Sequence, residues 1–184
     1  NGDFIRLEDR VSLAHESGAD ILVSIHANSS PDSRARGLEV YFQNQLPPDE
    51  ETLYLANLEN NHHGEEYDHR KVKPKKVPRH LKHLRGDVSN IVSDLIRNQK
   101  IRESGVLSKA LAQSWKGRKK SQRHTIRQAP FFVVSNSEIP SVLVEVGFVT
   151  NKTEAKSLKN GTYKNLIADS LYKGILRYKE SMDK

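Results

Sequence analysis

Two polar side chains inside strongly apolar segments are the clearest candidates for chemistry in this sequence. His26 ends the segment Ile21–His26, and Glu145 lies within the segment Val142–Phe148. Burial of an unpaired carboxylate is costly, so such a group usually faces a cleft or has a charged partner. A neutral imidazole is a common zinc ligand, and a carboxylate beside a metal-activated water is the usual general base. The two residue types are therefore those of metal-assisted hydrolysis.

Each of these residues also has a purely structural interpretation. Taken alone, His26 fits a hydrogen-bonded histidine of the interior, and Glu145 fits a paired structural carboxylate. The two lie far apart in the sequence, and no local motif of the HExxH type contains them. Their spacing therefore leaves both interpretations open.

Composition limits the kind of protein and the kind of metal site. A chain of 184 residues fits one domain, and the absence of cysteine excludes both disulfides and thiolate ligands. A metal would therefore need His, Asp or Glu. The formal charge of +7 indicates an acidic partner or surface, which could be nucleic acid, anionic lipid or cell wall. No apolar run approaches the ~20 residues of a membrane span, and the N-terminus starts without Met, so we expect further residues upstream.

Helical and strand-like segments alternate along the chain, which predicts an α/β fold with a mixed, largely parallel twisted sheet flanked by helices. In such sheets, sites form at the carboxyl ends of strands. The predicted strands are residues 20–27, 36–42, 131–134 and 141–148. The predicted helices are residues 7–17, a segment from Asp49 or Glu50 to Asn60, an amphipathic helix from Asp87, an apolar series from Val106 to Trp115, a short helix ending at Leu158, and residues 163–178.

Residues 45–127 have the character of an insertion within this domain. The stretches Arg70–Arg85 and Lys116–Arg127 are basic and favour solvated loops, which could also attract an anionic wall or an acidic partner. Binding of nucleic acid by these stretches is the main rival function, but they lack interleaved aromatic residues for base stacking. The apolar stripe of the helix from Asp87 either covers the core or binds a partner. The stripe consists of Val88, Ile91, Val92, Leu95 and Ile96.

Several sequence blocks resemble the N-acetylmuramoyl-L-alanine amidase family, whose fold is a zinc-peptidase-like (phosphorylase-like) α/β sheet. The most specific blocks are Ser24–Asn28 (SIHAN) and Pro140–Asn151 (PSVLVEVGFVTN). Phe4–Arg10, Arg36–Phe42 and Ala129–Val134 also match. The resemblance implies a single catalytic domain over 1–184, incomplete at its N-terminus. It also implies zinc-dependent hydrolysis of the amide bond between the lactyl group of N-acetylmuramic acid and L-alanine in peptidoglycan. Another zinc peptidase on the same fold, such as a carboxypeptidase, is a further alternative.

In that family His26 would be a zinc ligand and Glu145 the catalytic carboxylate. Asn28 and Asn151 would support the site, or would serve only in turns. The family holds zinc with two further ligands, a His and a Glu, both upstream of the segment that resembles Phe4–Arg10. We therefore expect the two remaining ligands to precede this chain.

The insertion resembles that of cell-separation amidases of Gram-negative bacteria, in which a helix covers the active site and a carboxylate occupies the position on zinc that water needs. Leu55–Asn60 matches the start of that region, which makes Glu59 the expected inhibitory ligand, with Glu65, Glu66 and Asp87 as substitutes. A Glu on a helix is more commonly a simple exposed carboxylate. The resemblance further implies an activator protein bound near Val88–Ile96, a periplasmic or secreted monomer that acts on peptidoglycan, no nucleic-acid partner and no membrane span.

Overall fold

The computed structural model describes residues 5–43, 50–61, 86–116 and 124–183. In chain order the strands are β1 (Leu22–Asn28), β2 (Leu38–Phe42), β3 (His124–Gln128) and β4 (Ser141–Phe148). The helices are α1 (Leu7–Glu16), α2 (Glu50–Asn61), α3 (Gly86–Ser114), α4 (Phe132–Asn136), α5 (Lys152–Leu158) and α6 (Gly161–Met182).

The four strands form one mixed sheet in the order β1-β4-β2-β3. β1 runs parallel to β4 and β2 runs parallel to β3, whereas β2 and β4 are antiparallel. The predicted α/β class with a mixed, largely parallel sheet is confirmed. Because of these directions, the carboxyl ends of β1 and β4 and the amino ends of β2 and β3 lie along the same edge of the sheet, the one formed by the strand termini.

Alternation along β4 divides the apolar side chains between the two faces of the sheet. Val142 and Val144 pack on one face in the cluster to which α3 and α6 contribute. Leu143 packs on the other face with Tyr41 and Phe131, where α1, α2 and α4 lie. Glu145 follows Leu143 by two residues, so it belongs to this second face.

Residues 131–134 were expected to be a strand, and this expectation was wrong. Phe132–Asn136 form the short helix α4, whose Val133 and Val134 are buried. A run of four apolar residues has no periodicity that separates a strand from a buried helix.

The strand β3 was not predicted, because residues 124–127 were included in a basic loop. Most of its side chains are only partly buried, so the segment carries no strong apolar signal. Its place in the sheet comes from backbone pairing with β2. β1 also differs from expectation: it pairs only with β4 among the described strands, and Ile25 is 58% exposed rather than buried.

Helix α3, within the predicted insertion, has two different halves. In its C-terminal half Leu107 and Leu111 are fully buried in the main core. In its N-terminal half the apolar stripe is exposed, with Ile91 59% and Leu95 63% accessible in the described part of the structure. The buried Lys100 marks the boundary, where its ammonium group donates to Gln43 Oε1 and to the carbonyls of Val134 and Ser137 at 2.6–2.7 Å.

Among the described helices, none has the length and apolar character that a membrane span requires.

Helices α3 and α6 approach so closely that only glycine fits at residue 174. A Cβ atom there would lie 2.8 Å from the Cα of Leu111. We expect Gly174→Ala to lower the free energy of unfolding by about 1–2 kcal/mol, because the steric cost exceeds the gain in helix propensity. Urea titration measures the change. Gly161→Ala is the matched control, since a Cβ there meets nothing within 4 Å. Equal stability of Gly174→Ala and wild type would contradict the close packing.

Candidate active site

Parallel pairing of β1 with β4 places His26 directly beside Glu145. His26 Nδ1 lies 2.9 Å from Glu59 Oε2, and both side chains are about one-fifth exposed. The other ring nitrogen, Nε2, lies 2.8 Å from Ser24 Oγ. Both nitrogens therefore have a polar neighbour, which fixes the plane of the imidazole. Ser24 was missed in the sequence, although its place two residues before His26 on the same strand face was the available signal.

Glu145 is a buried carboxyl group, and within the described residues the charges that act on its pKa are those of other carboxylates. It is 2% exposed, and its Oε2 atom has no hydrogen-bond partner among the described residues. Burial raises the pKa of Glu145 to about 8, and the charges of Glu59 and Glu39 contribute to the same shift. A positive charge brought to this position would lower the pKa again and favour the carboxylate. The electrostatics of the site therefore favour binding of a cation.

His26, Glu59 and Glu145 form a cluster in which one potential ligand atom of each lies within 4.8 Å of the others. Imidazole nitrogen and carboxylate oxygen are ligands that zinc accepts, and a catalytic zinc normally has three protein ligands and one open position. The residues present fit part of such a set. The structure thus brings together the three residues that the sequence singled out, each from a different element: β1, α2 and β4.

Helix α2 is held over the site through its last turn. The side chain of Asn60 donates to the carbonyl of Pro130 at 3.3 Å and accepts from the backbone N–H of Phe132 at 2.8 Å. These bonds join α2 to the start of α4 and so place the neighbouring Glu59 at the cluster. No sequence pattern singled out Asn60 as a site residue, because its partners are about seventy residues away.

A third carboxylate, Glu39, lies on β2 opposite Glu145 in the antiparallel pair. Its Oε2 atom accepts from Tyr41 Oη at 2.8 Å and from Asn28 Nδ2 at 3.1 Å. Burial raises the pKa of Tyr41, and Glu39 raises it further, so the phenol keeps its proton and remains a donor. Sequence reasoning did not single out Glu39, since alternation along a half-buried strand explained its polar character.

The two asparagines of the expected site have different positions. Asn28 ends β1 and lines a cavity of about 190 Å³ beside Glu59 and Glu145. Asn151 instead caps α5, accepting from the backbone N–H groups of Thr153 and Glu154. The substitutes proposed for Glu59 cannot be compared with it, because Glu65, Glu66 and the side chain of Asp87 lie outside the described residues.

The small cavity is covered by α2. Leu55, Leu58 and Glu59 of that helix line it together with Phe131 and Tyr41. Pockets that bind organic ligands usually measure about 300–1,000 Å³. With α2 in this position, the cavity is smaller than such pockets.

Comparison with known sequences gives a match over almost the whole chain. A family profile described as N-acetylmuramoyl-L-alanine amidase matches residues 1–177. N-acetylmuramoyl-L-alanine amidase AmiA of Salmonella typhimurium is 32% identical over 176 residues, which are 95% of this chain and 57% of that protein. This chain therefore spans little more than half of that relative's length.

Solved structures show the same fold at lower identity. The CwlD amidase from Clostridioides difficile, in complex with the GerS lipoprotein, has a TM-score of 0.60 at 21% identity, covering 95% of this chain and 62% of that one. N-acetylmuramoyl-L-alanine amidase AmiC2 of Nostoc punctiforme has a TM-score of 0.57 at 23% identity, covering 97% of this chain and 68% of that one. These likenesses support the α/β architecture.

The raised pKa of Glu145 predicts a pH-dependent effect of Glu145→Gln on the stability of the metal-free protein. The unfolded carboxyl group ionises near its ordinary pKa of 4.5, whereas the folded group keeps its proton until about pH 8. The unfolded state binds fewer protons in this window, so the wild-type free energy of unfolding falls as the pH rises. The variant lacks this loss. As the pH rises from 5 to 8, its stability relative to wild type should therefore increase by a few kcal/mol, at about 1.4 kcal/mol per pKa unit.

Urea titrations in EDTA between pH 5 and pH 8 measure this difference. Glu180→Gln, which removes an exposed carboxylate, is the control and should differ from wild type by a nearly constant amount. A difference for Glu145→Gln that is independent of pH would contradict the raised pKa.

Proposed function

Because this chain belongs to the N-acetylmuramoyl-L-alanine amidase family, we propose that the protein containing it is a zinc-dependent peptidoglycan amidase. The bond cleaved is the amide between the lactyl group of N-acetylmuramic acid and L-alanine. The observation that carries the proposal is the convergence of His26 and Glu145 at one edge of the sheet, with ligand atoms of a third residue, Glu59, within 4.8 Å.

In this proposal His26 supplies one of three protein ligands to zinc, and the other two come from the part of the protein that precedes this chain. Contact between Ser24 and Nε2 orients the ring so that Nδ1 faces the cluster. When bound, zinc polarises the scissile carbonyl and lowers the pKa of a water molecule towards neutrality.

Glu145 is the general base and then the general acid. It accepts the proton of the attacking water as the oxygen bonds to the carbonyl carbon. It returns that proton to the alanine nitrogen as the C–N bond breaks, which leaves a lactyl carboxylate and a free amine. Its burial and its unpartnered Oε2 atom suit this role, because a base engaged by other donors would be less able to take a proton.

We further propose that Glu59 inhibits the enzyme. Its carboxylate lies where the imidazole and Glu145 meet, and α2 reduces the space beside them to about 190 Å³. A ligand in this position excludes both water and substrate, so activity requires displacement of α2.

An activator protein would displace α2 by binding the exposed apolar stripe in the N-terminal half of α3, including Ile91 and Leu95. A partner that binds only the open arrangement shifts the population towards it. On this account the protein acts in the periplasm or outside the cell, where it separates daughter cells and remodels the wall after the activator arrives.

Glu145→Gln in the complete protein should abolish hydrolysis, with a loss of at least about 10²-fold, the lower range for general acid–base catalysis. Zinc content should be unchanged, because the base is removed while the proposed ligands stay. Chromatography of purified peptidoglycan digests measures released peptides with a free N-terminal alanine, and this product separates an amidase from a carboxypeptidase. Glu138→Gln should retain wild-type activity. Substantial hydrolysis by Glu145→Gln would exclude this role for Glu145.

Glu59→Ala in the complete protein should raise the rate measured without an activator. An increase on the order of tenfold corresponds to loss of about 1.4 kcal/mol from the closed arrangement. Tyr54→Ala changes an exposed side chain of the same helix, 55% accessible, and should leave the basal rate unchanged. An unaltered rate for Glu59→Ala would argue against inhibition by this carboxylate.

A further inference from the structure

A second, larger cavity lies at the same edge of the sheet as the candidate active site. This groove has a volume of about 930 Å³, within the range of sites that bind organic ligands. It lies between the loop that precedes β2 and the turn that follows β4, and it extends to Thr125 at the start of β3. The groove thus extends along this edge of the sheet, from the end of β4 past β2 to the start of β3.

Glu39 connects the groove with the small cavity. Its side chain lines the groove, while the two residues that donate to it, Asn28 and Tyr41, line the small cavity. A substrate held at Glu145 of β4 would therefore reach the groove at the neighbouring strand β2. Neighbouring strands are about 4.8 Å apart, so the region over β2 and β3 lies roughly 5–10 Å from Glu145, the length of two to three extended residues.

Hydrogen bonds between the two walls give the groove a fixed shape. The side chain of Asn151 donates to the carbonyl of Ser33 at 3.0 Å, and the backbone N–H of Ser30 donates to Thr150 Oγ1 at 3.1 Å. The buried carboxylate of Glu154 accepts from the N–H groups of Gly37 and Phe148 at 3.0 and 2.9 Å.

Gly37, which follows the lining residue Arg36, has a φ of 103°, a conformation that favours glycine. Walls joined in this way lose little freedom when a ligand binds, which favours recognition.

The charged residues that line the groove differ in whether they have partners. Glu39 lies at the inner end, where Asn28 and Tyr41 bind it. Arg34 is neutralised by Asp32, with Nε 3.0 Å from Oδ1. Arg36 and Lys152 are exposed, and within the described ranges of the chain neither has a carboxylate partner. Two cations on opposite walls are thus available for an anionic ligand.

We propose that this groove binds the peptide arm of the substrate and that Arg36 and Lys152 recognise the free carboxylate of its second residue. The inference rests on the proposed function, because the scissile bond must lie at Glu145 for the second residue to reach the two cations. The acyl side of that bond carries a neutral sugar, whereas stem peptides carry carboxylates. The two cations in the groove therefore favour binding with the peptide over β2 and β3 and the glycan on the other side of Glu145.

A pair of synthetic substrates tests this proposal. The two muramoyl tripeptides differ only at the second residue, which is D-isoglutamate in one and D-isoglutamine in the other. The complete protein with Glu59→Ala, in which the site is open, should cleave the carboxylate substrate with a kcat/KM roughly tenfold higher, since exposed ion pairs each contribute up to about fivefold. This preference should decrease in 0.5 M salt, because screening weakens exposed ion pairs.

Adding Arg36→Gln and Lys152→Gln to that protein should remove the preference while leaving kcat/KM for the carboxamide substrate within about twofold, which also shows that the variant is folded. Lys156→Gln is the matched control, since Lys156 is also exposed and lies one turn along α5 but does not line the groove. It should retain the tenfold preference.

Three outcomes overturn the inference: cleavage of both substrates at equal rates by the starting protein, an equal loss on both substrates in the double variant, or loss of the preference in the Lys156→Gln control. The second outcome would mean that another part of the substrate occupies the groove. Failure of the starting protein to cleave either substrate would instead contradict the proposed function itself.

Discussion

The parallel register between β1 and β4 determines the relative position of His26 and Glu145, the two residues on which the candidate site depends. It places the imidazole of His26 next to the carboxyl group of Glu145, about one hundred and twenty residues later in the chain. A shift of one residue would send one of the two side chains to the opposite face of the sheet. The register is maintained because Leu143 packs on the face of Glu145, whereas Val142 and Val144 pack on the face of α3 and α6. Packing of the core therefore holds His26 and Glu145 next to each other.

The electrostatic balance at this register is unfavourable without a cation. Glu59 and Glu39 both raise the pKa of Glu145, which burial has already raised. Only His26 among the three cluster members can offset the negative charge, and its Nδ1 atom faces Glu59. Such a cluster is stable either with a proton on Glu145 or with a positive charge beside it. A fold would gain nothing from this arrangement as a purely structural device, since an apolar residue at 145 would pack without the desolvation cost.

Sequence patterns predicted the elements that bury apolar side chains, and they were less informative where backbone or polar partners decide the structure. β4 is buried along its full length, and its apolar run is visible in the sequence. β3 has no such run and is defined by pairing with β2. The same distinction applies to the site: His26 and Glu145 are conspicuous as polar residues in apolar strands. Glu39 and Asn60, by contrast, gain significance only through partners that folding brings to them.

The packing of α2 fits an element that is held in place but can be displaced. The fully buried residues among its described side chains are Thr52, Ala56 and Asn60, which bury little apolar area, while Leu53, Tyr54 and Leu58 remain at least one-third exposed. Helix α6, in contrast, buries Tyr163, Ile167, Leu171 and Tyr178. At about 25 cal/mol per Å² of apolar surface, removal of α2 costs far less than removal of α6. The contact between Glu59 and His26 and the bonds of Asn60 help to retain α2, so the group proposed to block the site also helps to hold its own helix. A ligand that competes for His26 weakens both at once, which couples occupation of the site to release of the helix above it.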